Sequence, residues 1–139
     1  MMIIVSGCLA GLHCRYDGKD MSNESVMRLI AEGKAIPVCP EQLGGLSTPR
    51  PCCQIKENRV MTENGEDVTA QFCRGAEEAL AVAKLAGSKK AILKSKSPSC
   101  GYGEIYDGNF SGTLISGNGI FAALCKQNGI EVITEEEIN

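Results

Sequence analysis

The stretch KKAILKSKSPSCG, residues 89–101, runs from a short apolar segment into a turn that is rich in hydroxyl groups and ends beside a cysteine. Its apolar run, residues 91–93, has the length and composition of a buried strand. Upstream, apolar side chains recur at helical spacing over residues 69–86, and Gly87 follows them as a helix-ending residue. A helix that leads into a buried strand is the repeating unit of α/β proteins. The stretch therefore predicts one such unit, with a cysteine near the carboxyl end of its strand.

The same pattern of strands and helices recurs on both sides of this unit. Buried strands are predicted at residues 2–6, 35–39 and 130–134, and amphipathic helices at residues 23–32 and 118–127. The chain thus alternates strand, helix, strand, helix, strand, helix, strand, which predicts a mostly parallel sheet. We expect one compact α/β domain over residues 1–139, with three layers and a Rossmann-like arrangement.

Three segments fall outside this alternation. Residues 40–55, PEQLGGLSTPRPCCQI, are rich in proline and glycine and are predicted to form a long irregular loop, which in a compact domain is usually functional. Residues 54–68 and 103–112 alternate polar and apolar side chains over short distances, which predicts small β-hairpin excursions. In the second of these the turn is predicted at Asp107-Gly108.

Composition argues against several classes of protein. The 139 residues carry a net charge of -3, which does not favour binding to a nucleic-acid backbone. The N-terminal sequence MMIIVSGCLAG lacks the features of a secretory signal, and no apolar run approaches the roughly 20 residues of a membrane helix. We therefore expect a cytoplasmic protein, a monomer or small homo-oligomer, without membrane or nucleic-acid partners. In that reducing compartment its eight cysteines are not expected to form disulfides.

Three of the cysteines follow three predicted strands. Cys8 comes after the first strand, Cys39 ends the second, and Cys100 follows the strand at residues 91–93. Ligands of α/β sheets gather at the carboxyl ends of the strands, and neighbouring strands lie about 5 Å apart. If these strands are neighbours, the three sulfur atoms can converge on one centre.

The other cysteines have different settings. Cys73 and Cys125 fall within amphipathic helices and are interpreted as small core residues. Three more cysteines lie in predicted loops and are candidates for an additional ligand. Cys14 shares the first loop with Cys8, and Cys52 and Cys53 are adjacent in the irregular segment of residues 40–55.

A site built from thiols alone favours iron–sulfur chemistry over structural zinc. The chain has no C-x-x-C pair, and His13 is its single histidine, so the usual zinc ligand sets are missing. A [4Fe–4S] cluster suits all-thiolate ligation, and three cysteines leave one iron free to act as a Lewis acid on a substrate. A fourth cysteine, such as Cys14, would instead favour electron transfer. A non-catalytic iron–sulfur or metal-binding module, and a metal-free hydrolase that uses a thiol, stay open as alternatives.

Several sequence blocks match a known family. In chain order they are VSGCLAGLHCRYDG, PVCPEQLGGLSTPRP, DVTAQF, KSKSPSCG, IYDGNFSG and GNGIFAALCKQNGIEV. Together they resemble the thiouracil desulfidases, a family formerly described as a domain of unknown function, over nearly the whole chain. The resemblance implies an enzyme whose [4Fe–4S] cluster is bound by three cysteines. It also implies hydrolytic, non-redox removal of sulfide from a small thiolated pyrimidine base or nucleoside, such as 2-thiouracil, whose sulfur binds the iron that has no cysteine ligand.

Carried onto this sequence, the resemblance gives roles to individual cysteines. The metal ligands are matched by Cys8 of SGCLAG, Cys39 of PVCPE and Cys100 of SPSCG. These are the same three cysteines that follow the predicted strands. The resemblance and the topological rule therefore predict one ligand set.

The resemblance also implies catalytic residues. Glu41 of PVCPE matches the family's acidic residue near the cluster, and Ser99, or alternatively Ser97, matches its site serine. A carboxylate there could take a proton from the attacking water and return one to a ring nitrogen or the departing sulfide. A hydroxyl could orient the ring or the water. The alternative interpretations are loop capping by Glu41 and hydrogen bonding within the turn by the serines.

Two charged residues are interpreted as substrate-binding. Asp17 of CRYDG is predicted to orient neighbouring groups, and Arg50, between two prolines, to anchor its loop or contact the substrate. A buried structural salt bridge explains either residue equally well. The chain also departs from the family, which usually reads TPRPPAEI where this sequence has TPRPCCQI. We expect that departure to remove a site carboxylate at Gln54 and to add thiols that could reach the iron.

Overall fold

The computed structural model describes residues 2–138. Within this range the chain forms eight strands, four α-helices and two short 3-10 helices. The strands are β1 (Ile3–Ser6), β2 (Ala35–Val38), β3 (Cys53–Lys56), β4 (Arg59–Thr62), β5 (Lys90–Leu93), β6 (Glu104–Tyr106), β7 (Leu114–Ser116) and β8 (Glu131–Thr134). The helices are α1 (Glu24–Ala31), α2 (Pro40–Leu43), α3 (Thr69–Leu85) and α4 (Ile120–Gln127). Among these residues, none of the helices combines the length and the apolar character needed to cross a bilayer.

Four strands form the central sheet in the order β2-β1-β5-β8, and every neighbouring pair is parallel. The prediction of an α/β fold with a mostly parallel sheet is therefore confirmed. The order matters for the site because β2, β1 and β5 lie side by side, so their carboxyl ends meet at one edge of the sheet. These are the strands that Cys39, Cys8 and Cys100 follow.

Helices cover both faces of this sheet, which accounts for its apolar strands. Val5 and Ile92 pack with Val26 of α1 on one face. Ile4 and Leu93 point to the opposite face and join the apolar side chains of α3 and α4. Because both faces are buried, the strand sequences are continuous apolar runs and do not alternate between apolar and polar residues. The predicted three-layer arrangement follows from this packing.

Helices α2 and α3 approach each other with their backbones in contact. Gly44, at the C-terminal end of α2, and Gly75, inside α3, provide the space. A β-carbon at Gly75 would collide with the carbonyl oxygen of Pro40, and one at Gly44 with that of Gln71. This contact seats the short helix α2 where β2 ends, at the carboxyl edge of the sheet.

We expect Gly75→Ala to lower the free energy of unfolding by roughly 1–3 kcal/mol, because the added methyl group overpacks a backbone contact. The sign of this change is informative, because a glycine-to-alanine substitution inside an unobstructed helix raises the free energy of unfolding by about 0.5–1 kcal/mol. Urea unfolding followed by circular dichroism measures the change. Ala81→Gly, at an exposed position of the same helix, is the control and should cost about 1 kcal/mol through helix propensity alone. A stabilising Gly75→Ala would contradict the close α2–α3 contact.

The segment of residues 40–55 is more regular than predicted. One turn of helix, α2, opens it with Pro40 in its first turn, and β3 begins at Cys53. Proline is compatible with this position because its missing N–H would have no partner in the first turn. The first predicted hairpin forms between β3 and β4, through Glu57 and Asn58, which both have positive φ as tight hairpin turns require.

The second predicted hairpin has a longer loop than expected. β6 and β7 pair antiparallel, but residues 107–113 join them, so the prediction of a tight turn at Asp107-Gly108 is wrong. The reason is a contact between distant parts of the chain. Oε1 of Gln54 accepts hydrogen bonds from the amides of Gly108 (3.0 Å) and Phe110 (3.1 Å). These bonds hold the loop against β3.

Candidate active site

A cavity of about 580 Å³ opens at the carboxyl ends of β1, β2 and β5. The structure brings almost all of the predicted site residues together around it. Those that line it are Cys8, Cys39, Glu41, Arg50, Ser97, Ser99 and Cys100. Asp17 is the predicted residue that does not line it.

Two of the thiols are positioned by short structures that follow directly on their strands. Cys8 lies in the 3-10 turn Gly7–Ala10 after β1, and Cys39 is the N-cap residue of α2 after β2. Both turns reverse the chain at the sheet edge. The two side chains are therefore held at adjacent strand ends rather than on a long loop.

The third thiol, that of Cys100, lies in a turn that is fixed from two sides. The hydroxyl of Ser97 accepts hydrogen bonds from the amides of Ser99 (3.1 Å) and Cys100 (3.0 Å). The carbonyl of Ser99 accepts the amides of Phe121 (2.8 Å) and Ala122 (3.1 Å), in the first turn of α4. Helix α4 thus supports the turn that carries this thiol.

Burial makes two of the three thiols hard to ionise. It raises the pKa of Cys8 to about 11, although the nearby Lys94 ammonium partly offsets the effect. It also raises the pKa of Cys100 well above the ordinary value, against hydrogen bonds from Ser6 and Ser99. Buried thiols of this kind stay protonated and inert near neutral pH, whereas binding to a metal centre deprotonates them. The arrangement therefore favours metal ligation over a metal-free thiol nucleophile.

The thiol of Cys39 behaves differently. A hydrogen bond from Cys14 lowers its pKa to about 7, against the effect of burial and with help from the amide of Gln42. The pKa of Cys14 is raised by the same hydrogen bond and by its own burial. In the structure the Cys39 thiol also donates a hydrogen bond to the backbone carbonyl oxygen of Cys14 at 3.6 Å, so Cys14 adjoins a predicted ligand and lines the same cavity.

The adjacent pair Cys52 and Cys53 stands apart from that contact. Both line the cavity, but the Cys53 thiol donates to the carbonyl oxygen of Pro51 at 3.4 Å. Burial first, and then the carboxylate of Glu63, raise the pKa of Cys52. Burial raises the pKa of Cys53 as well, and the same effect acts on Cys8 and Cys100, so the pKa does not distinguish this pair from the predicted ligands.

The donor set fits a polynuclear iron–sulfur centre better than a single ion. Within residues 2–138, no group of three or more His, Cys, Asp and Glu side chains lies close enough to hold one metal ion. Metal–sulfur bonds of about 2.3 Å would bring the sulfurs around one ion to within about 4 Å of each other. Three thiols spread around one cavity suit a larger centre, and thiolates are the usual ligands of iron–sulfur clusters.

Glu41 is a cavity-lining carboxylate that is held by neighbours on both oxygens. Its Oε1 accepts a hydrogen bond from Nε of Arg50 at 3.0 Å, and its Oε2 accepts one from the Ser99 hydroxyl at 3.1 Å. The Ser97 and Ser99 hydroxyls lie 3.1 Å apart. A chain of polar groups therefore runs from the Cys100 turn to the carboxylate.

Arg50 works mainly as an anchor in this arrangement. It is buried, and Nη1 donates to Ser47 O (3.1 Å) and Thr48 Oγ1 (2.8 Å) while Nη2 donates to Cys14 O (2.8 Å). With Nε bound to Glu41, a single N–H of Nη2 is left without a partner among the described residues. Of the two predicted roles, these contacts favour loop anchoring over substrate contact.

Asp17 takes part in local structure and does not line the cavity. The Asp17 carboxylate pairs with Arg15 at 3.4 Å and accepts the amide of Lys19 at 3.0 Å. Arg15 lines the cavity, so Asp17 can influence the cavity only by orienting Arg15. Gln54 lines the cavity, and its side-chain oxygen accepts two amides of the loop at residues 107–113, so it anchors that loop. The expectation that a site carboxylate is missing at this position stays a prediction.

Sequence reasoning missed a charged group at the cavity wall. Nζ of Lys94 lies 3.2 Å from Glu135 Oε2, and Glu135 also accepts the amide and the hydroxyl of Ser95, both at 2.7 Å. Burial opposes ionisation of Glu135, but these hydrogen bonds and the Lys94 charge hold its pKa below the usual value. Lys94 directly follows the apolar run of residues 91–93 and could have been noticed there, whereas nothing distinguishes Glu135 from the other glutamates of residues 135–137.

The sequence profile of the family described as 2-thiouracil desulfurase matches residues 3–137. The chain belongs to the 2-thiouracil desulfurase family. The predicted resemblance is confirmed by this match, which spans nearly all of the chain.

Two relatives of this desulfurase-family chain show how far the similarity extends. An uncharacterised protein of Bacillus subtilis (strain 168), YbbK, is 46% identical over 148 residues, which cover 99% of this chain and 98% of that protein. A solved structure described as the [4Fe-4S]-dependent thiouracil desulfidase TudS (DUF523Vcz) is also 46% identical, with a TM-score of 0.94. That likeness covers 99% of this chain and 92% of the other.

Proposed function

We propose that this chain is a [4Fe–4S]-dependent desulfidase. It would hydrolyse a small thiolated pyrimidine such as 2-thiouracil to the oxo-pyrimidine and sulfide, without net oxidation or reduction. The observation that carries the proposal is the group of three cysteines, from three neighbouring strand ends, on one cavity beside a held carboxylate. Family membership, and the activity given in the description of the solved relative, support it.

Cys8, Cys39 and Cys100 would hold the cluster. When bound, the cluster supplies an iron without a cysteine ligand, which acts as a Lewis acid toward the sulfur of the substrate. The protein places a hydrogen-bond donor beside one of these sulfurs: the Ser6 hydroxyl bonds to Cys100 and lowers the pKa of that thiol. The Ser99 hydroxyl, 3.6 Å from Cys100 Sγ, is shared with Glu41. Donors in such positions stabilise thiolates relative to thiols and so favour ligation.

Glu41 would move the protons of the hydrolysis. A C–O bond forms between water and the thiocarbonyl carbon while the C–S bond breaks, so the water must lose protons and the ring nitrogen or the departing sulfide must gain them. Arg50 and Ser99 hold the two oxygens of Glu41 in place at the cavity wall. The hydroxyls of Ser99 and Ser97 would orient the attacking water or the ring.

The direct test is sulfide release from 2-thiouracil. We expect protein purified and reconstituted without oxygen to release one sulfide for each uracil formed, with no added reductant or oxidant, because hydrolysis balances without electron transfer. Colorimetric sulfide and chromatographic uracil assays measure the ratio. Protein stripped of iron is the control and should be inactive. Fully loaded protein that releases no sulfide would reject this substrate, and a requirement for a reductant would reject the non-redox mechanism.

A second candidate is a non-catalytic iron–sulfur module with four cysteine ligands. The observation that favours it is that Cys14 lines the same cavity as the three predicted ligands and accepts a hydrogen bond from the Cys39 thiol on its backbone oxygen, at 3.6 Å. Such a module would need Cys14 for cluster retention as much as the other three cysteines. The desulfidase proposal needs only three.

The cellular setting belongs to the same proposal. All eight cysteines are free thiols in the structure, which suits a reducing compartment such as the cytoplasm. The partner would be a small thiolated pyrimidine, base or nucleoside, and the acidic balance of the chain does not favour nucleic acid. The protein would act as a monomer or small homo-oligomer.

A further inference from the structure

The aromatic residues of this chain are few and unevenly placed. It has three tyrosines, three phenylalanines and no tryptophan. Phe72 and Phe121 are core residues, 1% and 0% exposed, whereas Phe110 is 37% exposed and lines the cavity. Tyr16 and Tyr106 line the cavity as well. Half of the aromatic side chains therefore surround a site rather than fill the core.

Phe110 also has a backbone conformation that a bulky residue rarely adopts. Its φ is 55°, in the left-handed region that disfavours side chains with a β-carbon. Such a conformation persists only where surrounding contacts impose it, and conformations of this kind concentrate at binding and catalytic sites. Since the ring is not needed in the core, its placement at the cavity calls for a functional explanation.

The contacts that impose this conformation come from β3. Gln54 is buried, and its Oε1 accepts the amides of Gly108 (3.0 Å) and Phe110 (3.1 Å). A β-carbon at Gly108 would lie 2.7 Å from Ile55 O, so the loop rests directly on the strand. Nζ of Lys56 donates a further hydrogen bond to Oδ1 of Asn109 in the same loop, at 2.7 Å. The loop is thus docked at several points, and the Phe110 ring is held at the cavity.

We propose that Phe110 is a substrate-positioning residue whose ring stacks on the flat heteroaromatic ring of the substrate. Gln54 is the residue that holds it in place. This inference rests on the proposed function, because it takes a thiolated pyrimidine as the substrate. The polar groups of a thiolated pyrimidine all lie at its ring edge, and stacking on an aromatic side chain uses the π-faces instead, so it tolerates changes at the edge where the chemistry occurs. Stacking would therefore hold the ring while its thiocarbonyl stays free to react.

Variants at position 110 test the proposal. With 2-thiouracil as substrate and uracil as competitive inhibitor, we expect Phe110→Ala to raise both KM and the uracil inhibition constant about tenfold. We expect kcat to change far less, because the ring does not take part in proton transfer. Phe110→Leu, which keeps apolar bulk without a π-face, should weaken binding similarly, whereas Phe110→Trp should retain it. Ile115→Ala, on β7 outside the cavity, is the control and should leave both constants unchanged.

Variants at position 54 test the holding contact. Gln54→Met removes the acceptor oxygen and should raise KM as Phe110→Ala does, while iron content stays close to that of the wild type and the urea midpoint falls modestly, because two loop amides lose their partner. Gln54→Glu keeps an acceptor for both amides and should behave as the wild type. A merely structural role for Gln54 would lower the urea midpoint without a selective change in KM.

Equilibrium dialysis of uracil against the anaerobically loaded protein separates failure of this inference from failure of the proposed function. If the wild type releases no sulfide but binds uracil, and Phe110→Ala loses that binding, the stacking role stands and the desulfidase proposal fails. The stacking role is overturned if Phe110→Ala binds uracil as the wild type does. It is also overturned if Phe110→Leu binds as tightly as the wild type, or if uracil does not bind at all.

Discussion

Serine in place of Cys8, Cys39 or Cys100, one at a time, is expected to abolish retention of the iron–sulfur cluster. Each of the three thiols lines the cavity from a different strand end, so none can substitute for another. Loss of a group that only supports a ligand typically costs about 10–100-fold in metal affinity, and loss of a ligand should cost more. Iron and acid-labile sulfide, measured after oxygen-free reconstitution, report the result.

Two other cysteines make this prediction specific. The prediction that Cys73 is a core residue is wrong, because it is exposed on α3 and does not line the cavity. Cys73→Ser should therefore keep the full iron content, which would show that the number of thiols alone does not determine cluster retention. Cys14→Ser should keep most of the iron, because Cys14 supports Cys39 through its backbone oxygen, which the serine variant keeps, and is not a ligand in the proposed site. If Cys14→Ser loses as much iron as Cys8→Ser, the site has four ligands and the second candidate function is correct.

Glu41→Gln is expected to lower kcat for sulfide release by about 10²–10⁴-fold while iron content stays unchanged. The amide keeps the size of the carboxylate and can still bind Arg50 through its oxygen, but it cannot carry protons between water and the leaving group. The cluster ligands are untouched by the change. Sulfide release at saturating 2-thiouracil, normalised to iron, measures the effect.

Glu63→Gln is the matched control for that result. Glu63 also lines the cavity, but its recorded hydrogen bond is a long one, 3.4 Å from the amide of Cys52. We expect it to leave kcat within a few-fold of the wild type. An equal loss in both variants would point to the overall charge of the cavity, and a Glu41→Gln enzyme with nearly full activity would remove Glu41 from proton transfer.

The central sheet could be predicted because its signals are local. Ile4, Val5 and Ile92 lie in short apolar runs, each followed or preceded by a helix pattern, and the parallel order follows from that alternation. The loop of the second hairpin could not be predicted in the same way. Its shape depends on Gln54, more than fifty positions earlier in the chain, and a dipeptide such as Asp107-Gly108 contains no trace of that contact.

The site shows the same division between local and distant signals. Cys8, Cys39 and Cys100 could be placed together because strand ends of a parallel sheet share one edge. The partner of Lys94 could not be foreseen, because Glu135 reaches it from the end of the chain and sits among other glutamates. Likewise, the sequence does not reveal that the guanidinium of Arg50 is already occupied by carbonyl and hydroxyl oxygens.

The single helical turn of α2 has a consequence for how such an enzyme can change. Cys39 is the N-cap residue of this turn and Glu41 lies within it. The sulfur proposed to bind the cluster and the carboxylate proposed to transfer protons therefore move as one rigid unit. The turn rests on the backbone of α3 at Gly75, where no side chain can yield. A shift of α2 on α3 would therefore move the Cys39 sulfur and the Glu41 carboxylate together. Substitutions that repack this contact change the metal site and the proton-transfer group at the same time, not one of them alone.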